Sequence, residues 1–207
     1  LAHFTHPRAH IWRPIKNSAD AKTLILLHGT GADEFDLLDL GSELDPQANL
    51  LSIRGNVIRD GMVRHFVFEP DGKTDEDHVI AQINKLAAFI AWASNEYSFD
   101  VSRAYAVGFS NGANAAGGLL LAFPELLAGV IAFGTTKTFR NRPFSPDLTG
   151  KRIWIANGAR DSYSPPAATE AMVEEFTSLG ASVKYFEHAG GHIIANAHVQ
   201  EINRQLA

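Results

Sequence analysis

The segment Val107-Gly108-Phe109-Ser110-Asn111-Gly112-Ala113 decides how this chain is read. It continues a short apolar run, Arg103 to Val107 (RAYAV), and opens a stretch rich in Ala and Leu, Asn111 to Phe123, that Pro124 stops. The run reads as a buried strand and the stretch as a helix. A G-x-S-x-G pattern between strand and helix marks a very sharp turn that lifts a serine hydroxyl above the sheet edge. Glycine at 108 and 112 removes side chains that would collide with neighbouring backbone. The helix starting there points free N–H groups and its positive end at negative charge developing beside Ser110. The plainer reading is a tight turn that happens to contain serine.

Working outward, five more short apolar runs recur: Thr23 to His28 (TLILLH), Leu50 to Arg54 (LLSIR), Gly129 to Phe133 (GVIAF), Arg152 to Ala156 (RIWIA) and Ser182 to Glu187 (SVKYFE). Most are apolar on both faces, as central strands of a parallel sheet are when helices cover both sides. Between them lie helical candidates at Asp33 to Leu44, Asp75 to Tyr97, Pro166 to Leu179 and Ile193 to Leu206. Strand and helix alternate, which predicts an α/β class with a mostly parallel central sheet flanked by helices on both faces and no lid domain. His10 to Ile15, joined to Thr23 by KNSADAK, predicts an antiparallel edge hairpin. Thr135 to Gly150 reads as a long surface loop. One domain over 1–207 is expected, with 1–9 a frayed terminus.

Composition narrows the function classes. The 207 residues hold 18 Lys plus Arg against 23 Asp plus Glu, a net charge of -5, so no phosphate-binding basic surface and no nucleic-acid partner is expected. Cysteine is absent, which removes thiol catalysis and Cys-ligated zinc and suits a reducing, cytoplasmic location. LAHFTHPRAH at the start has no apolar core and does not read as a signal peptide. The most apolar stretch, Ala115 to Gly134, is broken by Pro124 and Glu125, so no membrane span is expected.

A serine hydroxyl needs a base and an oxyanion pocket to act as a nucleophile. His28-Gly29-Thr30-Gly31 ends the first central run, and there the Thr30 N–H can face an oxyanion, with the Asn111 N–H as second donor. A dinucleotide loop is the competing reading, and it fails because position 34 is Glu where the fingerprint needs Gly. Asp161 follows the strand RIWIA and is the candidate acid, against a simple turn role before Pro165 and Pro166. His192, after Gly190-Gly191, is the candidate base on a mobile turn, against a helix-capping role. The three side chains are expected to converge, hydroxyl to imidazole to carboxylate. The chain order Ser, Asp, His is that of α/β-hydrolases, and each residue follows the C-terminal end of a different strand, where open sheets place their sites. His188 and His192 are spoiled as a metal pair by the glycines between them, His3, His6 and His10 sit at the terminus, and Asp71, Asp75, Glu76 and Asp77 read as a helix start. No metal and no cofactor is expected. Met62, Phe66, Phe68 and Tyr163 are candidates for the substrate pocket, with core filling the equal alternative for the first three.

Taken together, Leu27-His28-Gly29-Thr30-Gly31, Ser52 to Val57, Gly61-Met62-Val63-Arg64, Gly108 to Asn114, Gly158 to Pro165 and Gly190-Gly191-His192 resemble the small lidless phospholipase/carboxylesterase family, relatives of acyl-protein thioesterases. The resemblance spans about residues 22 to 205. It implies Ser110 as nucleophile, Asp161 as acid, His192 as base and the Thr30 and Asn111 backbones as oxyanion donors; without a lid the site is expected to be shallow and open, favouring small or short-acyl esters. Acyl-protein thioesterases usually carry Gln after the serine, where this chain has Asn111. Members often pair, so a homodimer is among the expectations. Thioesterase, lysophospholipase or C–C hydrolase activity keeps the same triad, and a catalytically silent binding protein is the alternative outside enzymes.

Overall fold

The computed structural model describes residues 8–15, 20–69 and 73–206. Nine strands and five helices follow one another as β1 (His10–Arg13), β2 (Thr23–Leu27), α1 (Leu38–Leu44), β3 (Asn49–Ile53), β4 (Val57–Arg59), β5 (Met62–Arg64), α2 (Glu76–Tyr97), β6 (Ala104–Phe109), α3 (Asn111–Ala122), β7 (Gly129–Phe133), β8 (Arg152–Gly158), α4 (Pro166–Ser178), β9 (Ser182–His188) and α5 (Asn196–Leu206) among the described residues. Seven strands form one sheet in the order β1-β3-β2-β6-β7-β8-β9, parallel except for β1, while β4 and β5 make a separate hairpin.

Alternation along the central strands explains why their sequences are apolar throughout. In β2, Leu24 and Leu26 pack on one face with Leu38 and Leu44 of α1 and Val199, Ile202 and Leu206 of α5. Ile25 and Leu27 pack on the other, with Val79 and Ile83 of α2, Leu119 of α3 and Phe176 of α4. Each such fully buried aliphatic side chain contributes about 1.5–3 kcal/mol. The longest helix, α2, starts where Asp75 caps it, its carboxylate accepting from the Asp77 and His78 N–H groups at 3.0 and 3.2 Å. Glu76 accepts from the backbone of Asn141 at 3.0 Å and Asp77 pairs with Arg142. Asp71 lies outside the described residues. No described helix is long and apolar enough to cross a membrane.

Several local expectations need correction. β1 is an antiparallel edge strand, but it pairs with β3 and forms no hairpin with β2, because β3 already occupies that side of β2. Helix α1 begins at Leu38, five residues later than its acidic start suggests. Asp33 accepts from the Phe35 N–H at 2.9 Å, a local turn that competes with helix. Thr135, Thr136, Thr138 and Phe139 are buried, not surface loop: the Asn114 amide oxygen accepts from Thr135 Oγ1 at 3.1 Å and the Thr136 N–H at 3.0 Å, and Thr138 Oγ1 donates to the Asn114 carbonyl at 2.6 Å. The frayed terminus expected over 1–9 falls outside the described residues for 1–7, His3 and His6 included. Arg8 is buried, the Ala9 carbonyl accepts from Arg54 at 3.0 Å, and His10 pairs with the Tyr97 hydroxyl at 2.6 Å.

Candidate active site

Ser110 stands between β6 and α3 with φ 55° and ψ −118°, a conformation outside the regions an L-residue prefers. Its N–H donates to the Phe133 carbonyl at 2.9 Å, which fixes the turn to β7. The flanking glycines are required by close approach. A Cβ at Gly112 would overlap the Leu27 and His28 carbonyls, and one at Gly108 would overlap the backbone of Gly112 and Ala113.

Asp161 follows β8 and is 2% exposed. Its Oδ2 accepts from His192 Nδ1–H at 2.7 Å and from Ser164 Oγ–H at 2.6 Å, while Oδ1 accepts from the N–H groups of Tyr163 at 2.8 Å and Ser164 at 3.2 Å. Burial alone would raise the carboxyl pKa. The bonds from Ser164, His192 and the two amides more than offset it, so the group is held below the usual carboxylate range. Ser164 is fully buried. Sequence reading missed it, and its signal was local, since Asp-x-x-Ser at a turn lets a hydroxyl and two amides fold back on one carboxylate.

His192 follows β9. Its ring lies 4.8 Å from that of Phe109 and 4.9 Å from that of Tyr163, centroid to centroid. Hydrogen bonds tether the loop carrying it. His188 Nδ1 accepts from Gly190 N–H at 3.0 Å, His188 Nε2–H donates to the Ile193 carbonyl at 3.2 Å, and Arg160 Nε–H donates to Ala189 at 2.7 Å. Helix α5 therefore starts at Asn196, beyond the three residues that this tether draws into the loop.

The structure brings Asp161 and His192 into direct contact and sets Ser110 and His192 in the wall of one cavity of about 620 Å³. No hydrogen bond joins the Ser110 and His192 side chains among the described residues, so the expected convergence is complete on the carboxylate side and open on the hydroxyl side. Such bonds commonly tighten only once substrate is in place. Thr30 and Asn111 line the same cavity. Asn111 is the first residue of α3, where an N–H has no acceptor within the helix, and the Thr30 N–H has no acceptor among the described residues.

Side chains fasten the backbone on both sides of this pair. The Asn111 amide oxygen accepts from His65 N–H at 2.7 Å, and its Nδ2–H donates to the Phe66 carbonyl at 2.9 Å. His28 Nδ1–H donates to the Gly29 carbonyl at 2.7 Å and Nε2 accepts from Gly55 N–H at 2.9 Å. Burial pushes the pKa of His28 down and that of His65 well down. Met62 and Tyr163 line the cavity, 42% and 61% exposed, but Phe66 does not. Its ring is fully buried in the core, the alternative expected for it, while Phe68 lies on the wall, because the chain bends at 65–66 and breaks the alternation begun in β5. Among the described residues no three His, Asp or Glu side chains are grouped to hold a metal ion.

The profile of the phospholipase/carboxylesterase family matches residues 10–207. MhqD of Bacillus subtilis (strain 168) is 36% identical over 183 residues, 88% of this chain and 90% of that protein. Among solved structures, the chain is similar to the Bacillus cereus carboxylesterase at 32% identity and a TM-score of 0.91, covering 97% of this chain and 93% of that one. A carboxylesterase from Mesorhizobium loti is 28% identical with a TM-score of 0.84, covering 92% of this chain and 90% of the other.

Proposed function

From the premise that this chain belongs to the phospholipase/carboxylesterase family of α/β-hydrolases and is a carboxylic ester hydrolase, we propose that Ser110, His192 and Asp161 are its triad and that it cleaves small or short-acyl esters. Ser110 Oγ attacks the ester carbonyl while His192 Nε2 takes the hydroxyl proton. The oxyanion is held by the N–H groups of Thr30 and Asn111, donors of a kind worth about 10²–10³ in turnover each. Collapse expels the alcohol, protonated by His192, and leaves an acyl group on Ser110. Water, deprotonated by His192, then releases the acid and restores the serine. Asp161 stays ionised, orients the ring through Nδ1–H and stabilises the imidazolium that forms.

The observation that carries this reading is the 2.7 Å bond from His192 to a buried, multiply hydrogen-bonded carboxylate, with the ring set in the same cavity wall as a strained serine. The rim supports short substrates: Thr30, Asp36, Met62 and Tyr163 line the cavity and are exposed, with no described segment folded over them. An acyl-chain-length series of oxygen esters and matching thioesters, run on wild type and Ser110→Ala, tests the reading. Turnover should be greatest on short oxygen esters and vanish in Ser110→Ala with an unchanged melting curve. Turnover that survives the substitution would remove Ser110 as nucleophile, and a preference for long chains or thioesters would move the substrate class.

A further inference from the structure

Building on that reading of the cavity as an ester site, we propose that Arg64 is a specificity residue that pairs with a free carboxylate on the substrate, so that the preferred ester is an anionic one, such as a half-ester of a dicarboxylic acid. Arg64 is the only Lys or Arg among the described residues that line the cavity. Its side chain makes no hydrogen bond or ion pair with a described residue, and its Nε is enclosed without an acceptor. Other arginines around the molecule have acceptors: Arg54 pairs with Glu34 at 3.2 Å, Arg160 donates to Ala189 at 2.7 Å, and Arg142, whose Nε is also enclosed without an acceptor, pairs with Asp77 through a terminal nitrogen. A guanidinium that is partly desolvated and left without an acceptor is suited to a planar carboxylate, which it meets with two parallel bonds.

Its backbone is bound to the oxyanion pocket from both sides. The carbonyl of Val63, just before it, accepts from Gly31 N–H at 2.8 Å, next to Thr30. The N–H of His65, just after it, donates to the Asn111 side chain at 2.7 Å. Strand alternation puts Met62 and Arg64 on one face of β5, and both line the cavity. Arg64 is therefore held in fixed register with the point where the ester carbonyl sits. One positive charge, with the Asp36 carboxylate also on the cavity wall, matches a monoanionic carboxylate better than a phosphate dianion.

The test compares the p-nitrophenyl half-ester of adipic acid with its neutral isostere, the p-nitrophenyl ester of adipamic acid, on wild type, Arg64→Gln and Arg64→Lys. The readout is the ratio of the two kcat/KM values, which a general loss of activity leaves alone. Wild type should favour the anionic ester at least about tenfold, Arg64→Gln should bring the ratio to about one, and Arg64→Lys should keep part of it. A wild-type ratio near one, or a ratio that Arg64→Gln does not change, overturns the proposal. Calorimetric binding of adipate itself needs no turnover, so it separates failure of this proposal from failure of the triad. Its dissociation constant should rise about tenfold or more in Arg64→Gln, and an unchanged value again overturns it.

Discussion

Ser164 Oγ donates at 2.6 Å to Asp161 Oδ2, the same oxygen that accepts from His192 at 2.7 Å. The hydroxyl fixes which lone pair is left for the imidazole and helps keep the carboxyl ionised in a buried place. Ser164→Ala should therefore lower kcat by about tenfold, well short of the loss from removing Asp161. It should also cost about 1.5–3 kcal/mol, the range for hydrogen bonds to charged groups. Kinetics paired with urea unfolding check both. An unchanged kcat would mean that the two amides orient the carboxylate unaided.

His192 rests on the bare backbone of Gly134, whose φ is 60°. A Cβ there would lie 2.8 Å from His192 Cε1 and 3.0 Å from Nδ1. Gly134→Ala should displace the ring and cost about 10² in kcat/KM, the usual penalty for misplacing a reacting group by about 1 Å. Backbone strain at positive φ adds a stability loss of about 1 kcal/mol. Gly150→Ala is the control, with φ 83° and nothing within 4 Å of the added carbon. It carries the strain without the clash, so equal activity losses in the two variants would refute steric displacement of His192.

What could be read from the chain follows from how local each signal is. The turn at Ser110 was legible because overlap at Gly108 and Gly112 demands glycine at both positions, and the central strands because both faces of each are covered. The β4–β5 hairpin carried a signal that was passed over. Asp60-Gly61, with φ 54° and 73°, is a pair that favours a two-residue hairpin turn. The choice between pocket and core for Phe66 was not legible because the bend at 65–66 is imposed from outside the segment, by Asn111 gripping both the His65 N–H and the Phe66 carbonyl. A bond across 45 positions leaves no local periodicity to read. The same holds for the fastening of the His192 loop by His188 and Arg160, where paired glycines alone suggested mobility.

Stability should fall as pH drops below the ordinary histidine value of 6.5, before any carboxylate titrates. Burial lowers the pKa of His28 and, much further, of His65, whose ring nitrogens are both without partners. Below 6.5 the unfolded chain takes up protons that the folded chain refuses, so the stability present above that pH is lost on acidification until the folded groups also titrate. Each such group contributes a slope of about 1.4 kcal/mol per pH unit. His65→Phe should flatten the dependence of urea midpoints on pH between about 6.5 and 5 and, by removing two orphaned polar atoms, should not lower stability at neutral pH. His28 keeps its own share, so a slope left undiminished by the substitution would place the lost protons on groups other than His65.

The Asn111 side chain holds the wall formed by Met62, Arg64 and Phe68, separately from the oxyanion role proposed for its N–H. Asn111→Ala keeps the N–H and leaves the buried His65 N–H and Phe66 carbonyl without partners, a cost of about 2–4 kcal/mol. The wall then loosens, so KM should rise by a larger factor than kcat falls. Asn111→Asp retains an acceptor for His65 but turns a carboxylate oxygen toward the Phe66 carbonyl, where two acceptors face each other. It should be at least as destabilising as Asn111→Ala, although it preserves the shape of the side chain. Thermal melts and a kcat against KM comparison for the two variants check this. If Asn111→Asp matches wild type in both, the side chain does not hold the wall through these bonds.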